Sequence, residues 1–302
     1  MLGFLPGPLL GALVASLLIV NTVFWAIPVY ALILLKLITP SGSLRDAVSR
    51  WMASAAQTWA MMNVALYQSC IRTTWELRGV EVLNPSRKYL VVANHQSWND
   101  IFVLMKAFGW RAPFFKFFIK QELIWVPILG LAWWGLDFPF MKRYSKAQLA
   151  KRPELKGKDL QTTREACEKY RRLPVTVLNF LEGTRFTAAK QAAQQSPYQH
   201  LLQPRAGGFA FAMNVLGDTL DSILDVTIVY PDGAKGFWDM LCGRMRHVVV
   251  EVRELEVPQE LKRGDYAEDP SYRAEIQGWV ARLWRDKDAR IGGHLKRVSG
   301  TS

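Results

Sequence analysis

The chain has 302 residues, 50% of them hydrophobic, with 12 Trp and 15 Phe; enough apolar surface to build one substantial core, which excludes disorder over most of the length. A formal net charge of +12 selects anionic partners: nucleic acid, an acidic membrane face or acidic small substrates. Three scattered cysteines, Cys70, Cys167 and Cys242, match neither a disulfide framework nor a zinc spacing and indicate a reducing compartment.

No charge occurs from Met1 to Leu35, and Leu9 to Leu35 is almost wholly apolar. That run is long enough to cross a hydrocarbon core about 30 Å thick. A cleaved signal peptide fits poorly, because no Lys or Arg precedes the run, the run is too long and no small-x-small cleavage site follows. Trp51 to Ile71 is a second uncharged stretch, with Trp51, Ala55, Trp59, Met62 and Leu66 at helical spacing. Gln57, Asn63 and Gln68 make it less apolar, so it is either a second span or an interfacial helix. Two crossings would place Lys36, Arg45 and Arg50 on the far side, against the positive-inside tendency. The expectation is one crossing, or a hairpin that dips in without crossing, with the remainder in the cytoplasm (at the inner membrane if the source is bacterial). Residues 1–74 then form a membrane anchor, 75–285 an α/β domain, and 286–302 a polar tail whose last residues are disordered.

After Arg72 the texture is that of a soluble domain. Tyr89–Ala93, Val175–Leu181, Val226–Tyr230 and Val248–Val252 read as buried strands, and Ile101–Phe108, Leu160–Arg171 and Gly207–Leu216 as helices. Strands alternating with helices predict an α/β fold around a largely parallel central sheet. Lys142–Lys158 and Thr187–Pro197 read as loops.

Asn94-His-Gln-Ser-Trp-Asn-Asp100 follows directly on a strand, placing His95 at the carboxyl end of the sheet, where α/β proteins bind ligands. Asp100 falls in the first turn of the next helix, within reach of the imidazole. A carboxylate on one ring nitrogen fixes the tautomer and raises the basicity of the other, which makes a general base for a hydroxyl. Ser97 and Asp100 also fit a plain helix-capping pattern. Glu182-Gly-Thr-Arg185 follows another strand: Gly183 allows close backbone approach, and Arg185 suits bidentate phosphate binding, though a polar turn with a surface Arg reads the same way. Phe140-Met-Lys-Arg143 offers a second Arg, and Pro204-Arg-Ala-Gly-Gly208 opens a helix whose N–H groups suit an anion. No His-Glu-x-x-His and no His or Cys cluster is present, so no metal is expected. No basic-aromatic reader motif supports nucleic-acid binding, and no Gly-x-Ser-x-Gly elbow supports a hydrolase.

In this order, His95 with Asp100, Phe140–Arg143, Glu182–Arg185 and Pro231 at the end of a strand resemble the four blocks of the lysophosphatidic acid acyltransferase (glycerophospholipid acyltransferase) family, over about Leu77 to Asp232. Ile-Lys-Gln-Glu-Leu123, with Lys120, resembles a segment between the first two blocks. Leu-Gln-Pro-Arg-Ala-Gly-Gly208, with Arg205, looks more like the branch that includes lysocardiolipin and lysophosphatidylinositol acyltransferases. The resemblance implies transfer of a fatty acyl group from acyl-coenzyme A or acyl carrier protein to a lysophospholipid hydroxyl, with lysophosphatidic acid as the leading acceptor, at a bilayer and without a cofactor. It implies that His95 takes the hydroxyl proton and Asp100 orients His95. Glu182, Gly183, Thr184 and Arg185 would bind or position the acceptor phosphate, with Arg143 assisting and Lys120 and Arg205 as further candidates. A non-catalytic basic protein that binds membranes or nucleic acid is the rival from another class.

Overall fold

The computed structural model describes residues 2–141, 167–262, 264, 266 and 268–300. Helices α1 (Gly7–Ile38) and α2 (Ser43–Cys70) form a hairpin turned at Gly42, whose φ of 140° suits glycine. By length and composition α1 could cross a membrane, and Ile19, Val20, Phe24 and Ile27 on it are exposed. Of the polar residues that made α2 look less apolar, Asn63 joins it to α1, while Gln57 donates to the Gly109 carbonyl and Gln68 accepts from Lys106. Asn21 Nδ2 donates to Asn63 Oδ1 at 2.8 Å and to the Trp59 carbonyl at 3.2 Å, and Trp59 Nε1 donates to Thr22 Oγ1 at 3.1 Å. The buried side of α2 holds Asn63 together with Met52, Ala56, Val64 and Tyr67. Val64 and Tyr67 join a core that also holds Leu10 and Val14 of α1 and Val91, Val226 and Val250 of the sheet. The change in composition near residue 74 is therefore not a boundary in packing.

Strands β1 (Thr74–Arg78), β2 (Lys88–Ala93), β3 (Phe115–Phe117), β6 (Val175–Phe180), β7 (Ser222–Val229) and β8 (His247–Leu255) form one sheet in the order β1-β8-β7-β2-β6-β3. All pairings in it are parallel except β7 with β8. A separate short parallel pair joins β4 (Ile119–Lys120) to β5 (Phe140–Met141). Strand β7 and all of β2 after Lys88 are buried on both faces, as inner strands of a covered sheet require; both are rich in apolar residues, with Asp225 of β7 the charged exception. In register, Ala93 lies opposite Phe180 on one side and Val226 on the other, so the chain leaves β2, β6 and β7 at one edge. Helix α3 (Asp100–Phe108) covers one face; α6 (Ala206–Leu216) and α8 (Pro270–Ser299) cover the other. Two short helices, α5 (Ala188–Ala193) and α7 (Phe237–Leu241), lie at the edge, and α4 (Leu129–Gly135) packs on α1.

The aromatic run from Leu123 to Phe140 divides. Phe138 joins a core with Val29 and Ile33 of α1 and Met52 of α2, whereas Trp125 and Trp134 are exposed. The expected polar tail from residue 286 is corrected. Asp286 lies within α8, whose start is capped by Asp269 accepting from the Ser271 and Tyr272 amides at 2.9 and 3.1 Å. Buried Lys287 pairs with buried Asp225, which also takes Arg253 at 2.9 Å and Arg290. His294 meets Glu251 at 2.6 Å and Arg297 meets Glu76 at 2.8 Å. Burial pulls the Lys287 amine down to about 8, against the pull of Asp225. Charges spaced at 287, 290, 294 and 297 form one helical face turned to carboxylates on the sheet, which a count of polar residues reads as solvated tail. The helix expected at 160–171 lies largely outside the described residues, as does the 142–158 loop.

Candidate active site

Strand β2 ends at Ala93, and the next turn is tied down at nearly every polar atom. Buried Asn94 spans to β7, donating to the Ile228 carbonyl and accepting from the Ile228 amide, each at 2.8 Å. The His95 ring directs Nδ1 to Asp100 Oδ2 at 2.7 Å. That same oxygen accepts from the Gln96 amide at 2.6 Å and the Ser97 amide at 3.0 Å, while Oδ1 accepts from the Tyr230 hydroxyl at 2.7 Å. Capping and orienting are thus one arrangement: the wholly buried Asp100 satisfies the turn and holds the imidazole. Burial and the neighbouring Asp100 charge push the Tyr230 phenol well above its ordinary value, so it stays a donor. The ring stacks on Phe180, centroids 4.1 Å apart, and the side chain keeps 19% exposure. With Nδ1–H on the carboxylate, Nε2 is the basic nitrogen.

Strand β6 delivers Glu182 beside this turn. Its buried carboxylate accepts from the His95 amide at 2.8 Å and the Leu202 amide at 3.0 Å. Of the two expectations for Glu182, binding or positioning the acceptor phosphate, direct contact does not fit the geometry: with no exposure and both oxygens on backbone N–H groups, it holds the His95 backbone. Burial raises its carboxyl to about 7 from 4.5. Glu182→Gln is expected to lower turnover about 10²-fold by setting an amide N–H against one of the two backbone donors and shifting His95. A carboxyl with a raised folded value stabilises fully below about 4.5, and that contribution is lost as pH rises through about 7. The variant should therefore lose the decline in stability over that window, measured by chemical unfolding at each pH. An unchanged slope would remove the assignment.

Cations gather on the β6 side of His95. Gly183 has φ of 64°, and a Cβ there would lie 3.1 Å from Arg205 Cδ, so the bare glycine is what lets Arg205 approach. The Arg185 guanidinium lies 3.9 Å over the exposed Trp98 ring. Lys190, which the sequence reading assigned to a loop, sits on α5, whose start is capped by Thr187. Its amine donates to Thr184 Oγ1 at 2.8 Å and to the Arg185 carbonyl at 2.9 Å. The Phe186 amide returns to the His95 carbonyl at 2.7 Å, locking the two loops together. Lys120 is exposed at the end of β4. Arg143 lies outside the described residues. No group of three or more His, Cys, Asp or Glu side chains is arranged to hold a metal among the described residues.

Residues 74–231 match the family model described as Acyltransferase, which is half of the chain. The chain belongs to the acyltransferase family. The matched span runs from β1 to just past Tyr230 and so includes His95, Asp100 and Glu182–Arg205. The chain is 25% identical over 259 residues to lysocardiolipin acyltransferase 1 of Danio rerio, covering 80% of this chain and 61% of that protein. It is 28% identical over 212 residues to 1-acyl-sn-glycerol-3-phosphate acyltransferase delta of Homo sapiens, covering 66% of this chain and 51% of that protein. The chain thus spans about half to three fifths of the length of the curated relatives it matches. The crystal structure of the 1-acyl-sn-glycerophosphate acyltransferase PlsC from Thermotoga maritima shares the fold, with a TM-score of 0.53 at 16% identity over 94% of each chain. Within this member of the family the sequence reading missed Tyr230 and Lys190. Tyr230 stands immediately before Pro231 at the end of an apolar strand, and Thr187, three residues before Lys190, is a helix-cap signal.

Proposed function

We propose that the protein is an O-acyltransferase that moves a fatty acyl group from an acyl thioester, coenzyme A or acyl carrier protein, to the free hydroxyl of a lysophospholipid. The leading acceptor is 1-acyl-sn-glycerol-3-phosphate, giving phosphatidic acid. The observation that carries this reading is the His95 ring held through Nδ1 on buried Asp100, beside Arg185, Lys190 and Arg205. His95 Nε2 takes the hydroxyl proton as the oxygen attacks the thioester carbonyl. The C–S bond then breaks, and the imidazolium returns the proton to the leaving sulfur. A thioester is already activated, so no enzyme nucleophile is required; Cys70, Cys167 and Cys242 are all buried, and burial pushes the Cys167 thiol up to about 12.

The acceptor's acyl tail belongs to a bilayer, which the exposed apolar surface of α1 would meet. Basic residues after α1 favour a cytoplasmic catalytic domain, at the inner membrane in a bacterium. A second reading, lysocardiolipin as acceptor, is favoured by the wider match to lysocardiolipin acyltransferase, 80% of this chain against 66%.

The deciding experiment offers purified protein a panel of lysophospholipids with acyl-coenzyme A or acyl carrier protein and identifies products by mass. No product above a His95→Ala control with any pair would reject the function. Arg185→Ala should raise the acceptor KM about tenfold or more with kcat largely kept, because a charge-assisted phosphate contact is present throughout the reaction. Arg185→Lys should recover only part of it, lacking the planar fork. An acceptor KM that does not move would take Arg185 out of the phosphate site.

A further inference from the structure

A second group of cations stands on the opposite side of His95. Strand β7 leaves the sheet at the edge where β2 and β6 leave it. Strand β8 runs antiparallel to β7, with Val229 opposite Val249, so it enters at that edge. The residues just before β8 therefore return to the catalytic edge: Arg246 passes its carbonyl to the Thr74 amide at 2.7 Å. Between the end of β7 and the start of β8 lies a cavity of about 420 Å³, lined by Asp232, Lys235, Asp239, Arg244 and Arg246. It lies within the size range of small-ligand sites, roughly 300–1,000 Å³.

This cavity is anchored to the catalytic turn. Ser97 Oγ donates to the Lys235 carbonyl at 2.6 Å, and Asn99 Nδ2 donates to the Lys235 and Gly236 carbonyls at 3.0 and 3.4 Å. Ser97 and Asn99 flank Trp98 and belong to the turn that holds His95. Asp239 is already engaged, with Arg244 at 2.5 Å and the Gly236 amide at 3.3 Å. The lining thus carries three cations and two carboxylates, with one carboxylate committed to an internal pair.

Transfer of an acyl group needs two substrates on either side of one base. The β6 side of His95, with Arg185, Lys190 and Arg205, answers one anion; the β7–β8 side is free for the other. A mixed lining discriminates among donors. Lys235 and Arg246 suit phosphates, while the Asp232 carboxylate suits the hydroxyl or amine donors of a nucleotide. A concave site of this size fits a small molecule better than the surface of a carrier protein.

We propose that this cavity binds the nucleotide phosphates of a coenzyme A thioester, as the donor subsite of the transfer reaction proposed above. The donor role rests on that reading. The long pantetheine arm carries the thioester to His95 while the phosphates stay at Lys235 and Arg246. The donor and acceptor then approach His95 from opposite sides.

The test uses the full chain in detergent micelles. Calorimetry with free coenzyme A needs no turnover and so can fail independently of the proposed activity. Lys235→Ala with Arg246→Ala should weaken coenzyme A binding about tenfold or more and raise the KM for palmitoyl-coenzyme A by a similar factor. The KM values for lysophosphatidic acid and for palmitoyl-acyl carrier protein should stay within about twofold, the scale of surface charge effects. Unchanged coenzyme A affinity in the double variant would overturn the site. So would a loss confined to the carrier-protein donor, which would make it a protein-docking surface, or a loss confined to the lysophospholipid, which would make it a headgroup site. Amine labelling of wild-type Lys235, read by mass, is independent of whether the variant folds: coenzyme A should protect it, and equal labelling with and without coenzyme A would reject the proposal. Wild type that binds coenzyme A here but transfers no acyl group would instead reject the proposed function and leave the binding site standing.

Discussion

His95→Ala is expected to fold and to lose about 10²–10⁴-fold in kcat, the range a placed general base supplies. Folding should survive because the ties at this position are made by backbone: the His95 amide to Glu182 and the His95 carbonyl to the Phe186 amide persist in alanine. What disappears is the ring, its stack on Phe180 and its Nδ1 bond to Asp100. The measurement is single-turnover kinetics with saturating donor and acceptor, alongside a thermal melt. Retention of more than about a tenth of wild-type kcat would exclude general-base catalysis by His95.

Asp100→Asn is expected to lower kcat about ten- to a hundredfold, and the size of the loss is itself diagnostic. In a histidine–carboxylate pair where the amide turns its nitrogen to the ring, the wrong tautomer costs on the order of 10⁴. Here the oxygen facing His95 also accepts from the Gln96 and Ser97 amides, so an asparagine should keep oxygen, not nitrogen, at that place. The tautomer survives and only the negative charge is lost, about 1.5–3 kcal/mol for a hydrogen bond to a charged group. The asparagine nitrogen then faces the Tyr230 hydroxyl. That hydroxyl must accept, leaving its own buried proton without a partner at a cost of about 1–3 kcal/mol in stability. A loss near 10⁴ would show that the two amides do not fix the oxygen.

Periodicity and residue type determined a good deal by themselves. Runs rich in β-branched and apolar residues mark β2, β6, β7 and the first half of β8, because strands covered by helices bury most of their positions, and the charged exceptions Asp225 and Glu251 are paired with α8. The long uncharged N-terminal run marks α1, and a His and an Asp five residues apart across a strand-to-helix turn mark the pair that the fold joins by a hydrogen bond. Short or mixed elements gave no such signal. Strand β1, Thr-Trp-Glu-Leu-Arg78, is half polar because it lies at the sheet edge, and β3 spans only Phe115–Phe117. The role of Glu182 was also beyond the sequence. Its neighbours Gly183, Thr184 and Arg185 suggest an anion site, and only the approach of the His95 and Leu202 amides shows that this carboxylate turns inward. Tyr230 reaches Asp100 across 130 residues, and the charges of α8 meet Asp225, Glu251 and Glu76 on three separate strands. Local sequence determines which residues can bond; which of them do depends on strand order, and strand order is set by how all the buried faces pack together.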